Sequence, residues 1–227
     1  VHEIDKIFGD DYWIYPSKEN DPYPEVCEIV DVVGDSIGGG VLIAPDVVVT
    51  AGHCLDDDDA SYVIFNNEEC ISIASTLIHP HYGYIDERLP HDIGLIFLEH
   101  PPENIIPVTL CNNLNISRFT DITVTGYGFG GKRYSKCGTF WYYGTVEGEV
   151  GQIKFLPTKT TVWFGDSGSG VFLELNNKRY LFGVISHFVL YKGEFAECSA
   201  TKISYYKEWI EEKTNETRQM AKMEIGR

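Results

Sequence analysis

The sequence predicts an all-β protein, on three observations. Short runs rich in β-branched and aromatic residues recur along the chain, clusters of Gly, Pro, Asn and Asp separate them, and helical spacing is confined to one C-terminal stretch. The predicted strands are Val26 to Val33, Val41 to Thr50, Ser61 to Phe65, Ile71 to Ile78, Ile93 to Leu98, Ile122 to Tyr127, Val171 to Leu175 and Tyr180 to Ser186. Residues 204–223 form the predicted helix. Tyr205, Trp209 and Ile210 supply apolar contacts to its first turns, and the remainder is Glu, Lys, Thr and Arg, so the helix docks by its start. A chain of 227 residues suits one compact unit or two small barrels sharing a core, and 43% hydrophobic residues is ample for burial.

Composition narrows the function. Acidic residues outnumber basic ones 34 to 18, for a formal charge of −16 and a pI near 4.7, which repels nucleic acid and anionic membranes and favours a basic or neutral partner. No apolar run approaches the roughly 20 residues of a membrane helix, so neither nucleic acid nor membrane is an expected partner. Six cysteines (Cys27, Cys54, Cys70, Cys111, Cys137, Cys198) lack any C-x-x-C pair, which disfavours a zinc ribbon or redox motif. Their even number and scatter predict disulfides, an oxidising compartment and hence secretion. Two sequons, Asn115-Ile116-Ser117 and Asn215-Glu216-Thr217, fit a secreted chain but decide nothing alone. The acidic run from Asp56 to Asp59 reads as a solvated loop, since its acids lack ordered calcium-ligand spacing.

The chemistry is concentrated in Phe164-Gly165-Asp166-Ser167-Gly168-Ser169-Gly170, where a glycine-rich turn leaves the Ser167 hydroxyl uncrowded. A serine hydroxyl is a weak nucleophile and needs a base within hydrogen-bond reach, itself oriented by a third group. Thr50-Ala51-Gly52-His53-Cys54 provides a histidine after an apolar strand, and His91-Asp92-Ile93-Gly94 provides an aspartate heading another. In this reading His53 takes the Ser167 proton and returns it to the leaving group, while Asp92 fixes the imidazole tautomer. The backbone N–H groups of Gly165 and Ser167 form the oxyanion hole. His79, His81 and His91 could be imagined around a metal, but no acid or thiol falls at a persuasive interval, so neither a metal nor another cofactor is expected.

Three matched contexts in the order His, Asp, Ser resemble the trypsin/chymotrypsin-type serine endopeptidases. Supporting matches are Gly38-Gly39-Gly40-Val41-Leu42-Ile43 before the histidine, Thr125-Gly126-Tyr127-Gly128, and Tyr205 to Ile210, so the resemblance runs from about Ile7 to Ile210. It implies two packed six-stranded antiparallel Greek-key barrels, over about 7–115 and about 116–203, followed by the helix. It also implies a monomer acting on protein or peptide substrates through an acyl-enzyme.

The resemblance further implies a zymogen. Lys6-Ile7-Phe8-Gly9-Asp10 is similar to the family's activation junction, where an activating protease cuts after a basic residue and the new isoleucine ammonium pairs with Asp166. Residues 1–6 would then be a short activation segment, although Phe8-Gly9-Asp10 replaces the usual Val-Gly-Gly. Thr161 takes the floor of the primary specificity pocket and carries no charge, whereas cleavage after Lys or Arg needs an aspartate there. Ser186, His187 and Phe188 resemble the pocket wall, with Phe188 narrowing it, so small or medium uncharged side chains are expected before the cut bond. The usual disulfide partner of Cys54 corresponds to Gly38, which leaves the connectivity open among 15 pairings. The loop between His53 and Cys70 leaves little room for the family's calcium site. Competing readings are a catalytically silent binding module on the same fold and an esterase using the same three residues.

Overall fold

The structure is a computed structural model that describes residues 21–57, 59–83, 90–128, 136–145, 151–157, 162, 164–191 and 194–225. Its first six strands are β1 (Val26–Val30), β2 (Ser36–Ala44), β3 (Val47–Thr50), β4 (Tyr62–Phe65), β5 (Cys70–Ile78) and β6 (Gly94–Leu98), which close into an antiparallel barrel in the order β1-β2-β3-β6-β5-β4. The predicted strand Val41 to Thr50 is in fact a hairpin, because Pro45 and Asp46 form a turn inside the apolar run. The second set comprises β7 (Thr109–Leu110), β8 (Asp121–Gly126), β9 (Lys136–Thr145), β10 (Gln152–Pro157), β11 (Gly170–Leu175), β12 (Lys178–Tyr191) and β13 (Glu194–Lys202). Here β11-β8-β9-β10-β13-β12 closes on itself through the β11–β12 pairing, and β7 adds to β12 in parallel through Tyr180↔Thr109 and Leu181↔Leu110. The chain is therefore all-β with two six-stranded barrels, and α1 (Ile203–Ile225) follows them.

The period of two along each strand explains why β3 and β6 read as unbroken apolar runs. Val48, Ile96 and Leu98 point into the first barrel with Cys27, Ile29, Leu42 and Phe65. Val47, Val49, Leu95 and Phe97 point the other way, into a cluster shared with Phe172, Leu181 and Val184 of the second barrel. Ile203, Tyr206 and Ile210 of α1 join that shared cluster from one face of the helix. A fully buried side chain of this kind stabilises by about 1.5–3 kcal/mol, so the seam between the barrels is held as firmly as either interior. The second barrel has its own core of Ile122, Phe140, Phe155, Val171 and Phe182.

The expected disulfides are corrected: none of the six cysteines is bridged to another. They are dispersed over different surroundings, with Cys27 inside the first barrel, Cys54 and Cys137 in the seam, Cys111 and Cys198 in the second barrel, and Cys70 exposed. The cysteine count therefore gives no support for an oxidising compartment. None of the helices of the described residues is long and apolar enough to cross a membrane.

Candidate active site

His53 stands in a 3-10 turn, Gly52–Leu55, that follows β3, and Asp92 stands just before β6. Because β3 and β6 are neighbours in register Thr50↔Gly94, the two strand ends deliver these side chains to the same edge of the first barrel. His53 Nδ1 lies 2.9 Å from Asp92 Oδ2, and the His53 backbone N–H donates to Asp92 Oδ1 at 2.9 Å. The carboxylate thus grips both the ring and the backbone of the same residue. Asp92 is fully buried, whereas the His53 side chain keeps 25% of its surface in solvent. Since an ionised carboxylate can only accept, Nδ1 carries the proton and Nε2 is left as the basic nitrogen.

Electrostatics agree with that assignment. Burial alone would lower the His53 pKa, but the hydrogen bond to Asp92, assisted by Cys54 and by the Asp92 charge, outweighs it and raises the pKa above the ordinary imidazole value. Burial would raise the Asp92 pKa, yet the hydrogen bond and charge of His53, together with the Ser186 hydroxyl, hold it below the usual carboxylate range. Ser186 Oγ donates to Asp92 Oδ2 at 2.5 Å, and Thr201 Oγ1 donates to the Asp92 carbonyl at 2.6 Å. Both donors come from the second barrel, Ser186 from β12 and Thr201 from β13, so the aspartate is clamped across the seam.

Ser167 reaches the same seam from the other side. Its carbonyl accepts the Gly39 N–H at 2.7 Å, which ties the nucleophile turn to β2. A Cβ built on Gly38 would stand 2.7 Å from that carbonyl oxygen and 2.8 Å from Cys54 Sγ, so Ser167 and the residue after His53 converge on one point. Gly168 has φ +81, and a Cβ there would meet the Gly39 carbonyl at 2.2 Å and Thr50 Oγ1 at 2.3 Å; only glycine fits on both counts. Within the turn, Gly168 N–H donates to the Ile185 carbonyl at 2.8 Å and Ser169 N–H to the Asp166 carbonyl at 3.1 Å. Among the described residues, no backbone hydrogen bond joins the N–H of Gly165 or of Ser167 to a carbonyl in this turn.

Asp166 is fully buried, and its Oδ1 accepts the Gly128 N–H at 2.9 Å. Phe188 forms an edge-to-face pair with Phe164, ring centroids 5.4 Å apart, beside the nucleophile turn. His187 Nδ1 lies 3.1 Å from Ser186 Oγ, and because that hydroxyl already spends its proton on Asp92, the imidazole is the donor. Thr161, Lys6 and Ile7 lie outside the described residues.

The positioning roles of Ser186 and Thr201 go beyond what the sequence reading assigned; the available signal was a polar residue within each buried strand run, at Val184-Ile185-Ser186 and Ser199-Ala200-Thr201. His79, His81 and His91 do gather, but as a ring cluster rather than a metal centre. His79 and His91 stack at 4.9 Å, Tyr206 and Trp209 of α1 pack edge-on against His79, and Tyr206 Oη lies 3.1 Å from His91 Nδ1. Among the described residues no group of three His, Cys, Asp or Glu is placed to hold a metal ion.

The family model called Trypsin matches residues 28–210 of this chain, a span that contains His53, Asp92 and Ser167. The chain belongs to the trypsin family. It is also similar to a Drosophila melanogaster protein named serine proteinase stubble, at 30% identity over 117 residues. That alignment takes in 44% of this chain and 14% of the relative, so the chain corresponds to only a small part of that protein's length.

Proposed function

We propose that this chain is a secreted serine endopeptidase using Ser167, His53 and Asp92. The observation that carries the reading is the double grip of buried Asp92 on His53, which leaves Nε2 as the base at the seam where Ser167 is pinned. Ser167 Oγ attacks the peptide carbonyl carbon while its proton passes to His53 Nε2. The carbonyl π electrons move to oxygen, and that oxyanion is held by the N–H groups of Gly165 and Ser167. Collapse breaks the C–N bond as the amine takes the proton from Nε2, leaving an acyl ester on Ser167. Water then attacks the ester, again through Nε2, and releases the acid and the free serine.

Cleavage after Lys6 by an activating protease is the proposed switch, with the Ile7 ammonium pairing with Asp166; the likeness of Lys6-Ile7-Phe8-Gly9-Asp10 to the family's activation junction supports the idea. Uncharged Thr161 and the ring of Phe188 support a preference for small or medium uncharged residues before the cut bond. Export and a monomeric state are part of the same reading and rest on family membership.

The test is hydrolysis of a mixed fluorogenic peptide library before and after controlled cleavage at Lys6–Ile7, with Ser167→Ala as control. Turnover that arises only after cleavage and is abolished in the control is the expected result. Folded, cleaved protein that neither turns over peptides nor reacts with a fluorophosphonate would move the assignment to a silent binding domain.

A further inference from the structure

The outer face of the second barrel carries an aromatic ledge unrelated to the catalytic seam. Trp141 and Tyr143 lie two residues apart on β9 and are 43% and 38% exposed, while Tyr142 between them is buried in the core. Phe119 is 59% exposed and stands edge-on to Trp141, ring centroids 6.2 Å apart. The Arg118 guanidinium covers the Tyr143 ring at 4.8 Å. Phe119 is tied to β9 by its N–H, which donates to the Tyr142 carbonyl at 2.7 Å, and it closes a turn in which Thr120 N–H meets the Ser117 carbonyl at 3.2 Å.

Phe119 has φ +63, a left-handed conformation that is costly for a bulky residue, and its ring is not buried in return. A strained, exposed aromatic on an exposed aromatic row points to an occupant. The sequence supplies one four residues earlier. Leu114 and Ile116 both pack against the second-barrel core, so the chain is anchored on either side of Asn115, which is itself exposed, as is Ser117. The sequon Asn115-Ile116-Ser117 is thereby presented outward, and even a fully extended chain would place Asn115 no more than about 14 Å from Phe119.

We propose that Asn115 is an N-glycosylation site and that the first sugars of its glycan lie on the Phe119–Trp141 ledge. The bond formed joins Asn115 Nδ2 to the anomeric carbon of an N-acetylglucosamine delivered as a lipid-linked pyrophosphate oligosaccharide; the pyrophosphate leaves and takes up the amide proton. Sugar rings present apolar C–H faces that suit an exposed indole and phenyl, while the Arg118 and Tyr143 polar groups meet the hydroxyls. The proposal rests on the reading of the chain as an exported protein.

The full chain is expressed behind a heterologous secretion leader in a eukaryotic host, which commits it to the glycosylating route whatever its native destination. Peptide mapping before and after N-glycosidase treatment is expected to show Asn115 converted to Asp, and Asn115→Gln to lose that glycan. The N-acetyl methyl proton of the first sugar is expected to shift upfield by ring current, and to lose the shift in Trp141→Ala and Phe119→Ala, both of which keep the glycan. Enzymatic deglycosylation is expected to lower Tm in the parent protein and to leave Tm unchanged in Trp141→Ala. Secreted, folded protein unmodified at Asn115 overturns the site, and a glycan there with an unshifted methyl signal overturns the ledge. Fractionation of native tissue or cells tests export separately.

Discussion

The hydroxyl of Ser186 donates to Asp92 Oδ2 at 2.5 Å, the same oxygen that faces His53 Nδ1 at 2.9 Å. One carboxylate oxygen therefore receives a donor from each barrel, and the geometry of the base depends on how the barrels are packed. Removing the hydroxyl in Ser186→Ala leaves the buried carboxylate one donor short, and a hydrogen bond to a charged group contributes about 1.5–3 kcal/mol. The expected outcome is a fall in kcat/KM of about 10- to 100-fold with KM for a small ester substrate nearly unchanged, read by steady-state kinetics. Ser186→Thr, which restores the hydroxyl, is expected to recover part of the loss.

Asp92→Asn tests the electrostatic half of the arrangement. Burial lowers the His53 pKa, but the hydrogen bond to Asp92, with the Asp92 charge behind it, raises it by more, and His53 must be neutral to accept a proton, so in the parent protein kcat/KM is expected to rise with pH through a value above the ordinary imidazole one near 6.5. With the charge removed, the His53 pKa drops and the acid limb moves to lower pH. The rate on the plateau is expected to fall by about 10⁴-fold, because an amide that donates toward Nδ1 favours the wrong tautomer. A pH–rate profile of both proteins measures the two effects together.

Much of this site was legible because its motifs are local. Gly-Asp-Ser-Gly, Ala-Gly-His-Cys and His-Asp-Ile-Gly each bring their backbone context with them, and β3 and β6 betray themselves by apolar runs that alternate between barrel interior and seam. The clamps on Asp92 are not local: Ser186 and Thr201 lie 94 and 109 residues away, and only the closure of both barrels joins them to it. β9 and β10 escaped notice because Lys136, Gly138, Gly144 and Lys154 interrupt their apolar pattern, and β2 and β3 merged into one predicted strand because the run hides its turn. The cysteine count misled for a similar reason, since pairing depends on three-dimensional approach.

The histidine cluster under α1 predicts acid sensitivity of the fold. Burial, then the neighbouring His91 and His81, push the His79 pKa down to about 4, and burial with His81 lowers that of His91. A histidine with a folded pKa below its unfolded value of about 6.5 binds protons more readily when unfolded. Its unfavourable contribution is absent above about pH 6.5, grows as pH falls toward 4, and levels off below that. His79→Gln removes the titration while retaining a polar side chain, so its Tm is expected to fall less steeply than the parent's between pH 6.5 and 4. Carboxylates titrate in both proteins, and the difference between the two melting curves isolates the histidine.

Gly38→Ala addresses the convergence of the two halves of the site. The new methyl would stand 2.7 Å from the Ser167 carbonyl oxygen and 2.8 Å from Cys54 Sγ, and contacts that short force one neighbour to move. The carbonyl already accepts the Gly39 N–H at 2.7 Å, so shifting it breaks the bond that ties the nucleophile turn to the first barrel. Displacing the sulfur instead pushes on the turn that carries His53. Either way the serine and the histidine lose register, and a displacement near 1 Å can reduce the rate by about 10²-fold, while overpacking costs about 1–3 kcal/mol of stability. The expected outcome is a Tm lowered by several degrees and kcat reduced by at least about tenfold. Gly83→Ala, where a Cβ meets nothing within 4 Å, serves as the control and is expected to change neither. A Gly38→Ala protein with parental kcat would show that Ser167 and His53 are positioned independently of this contact.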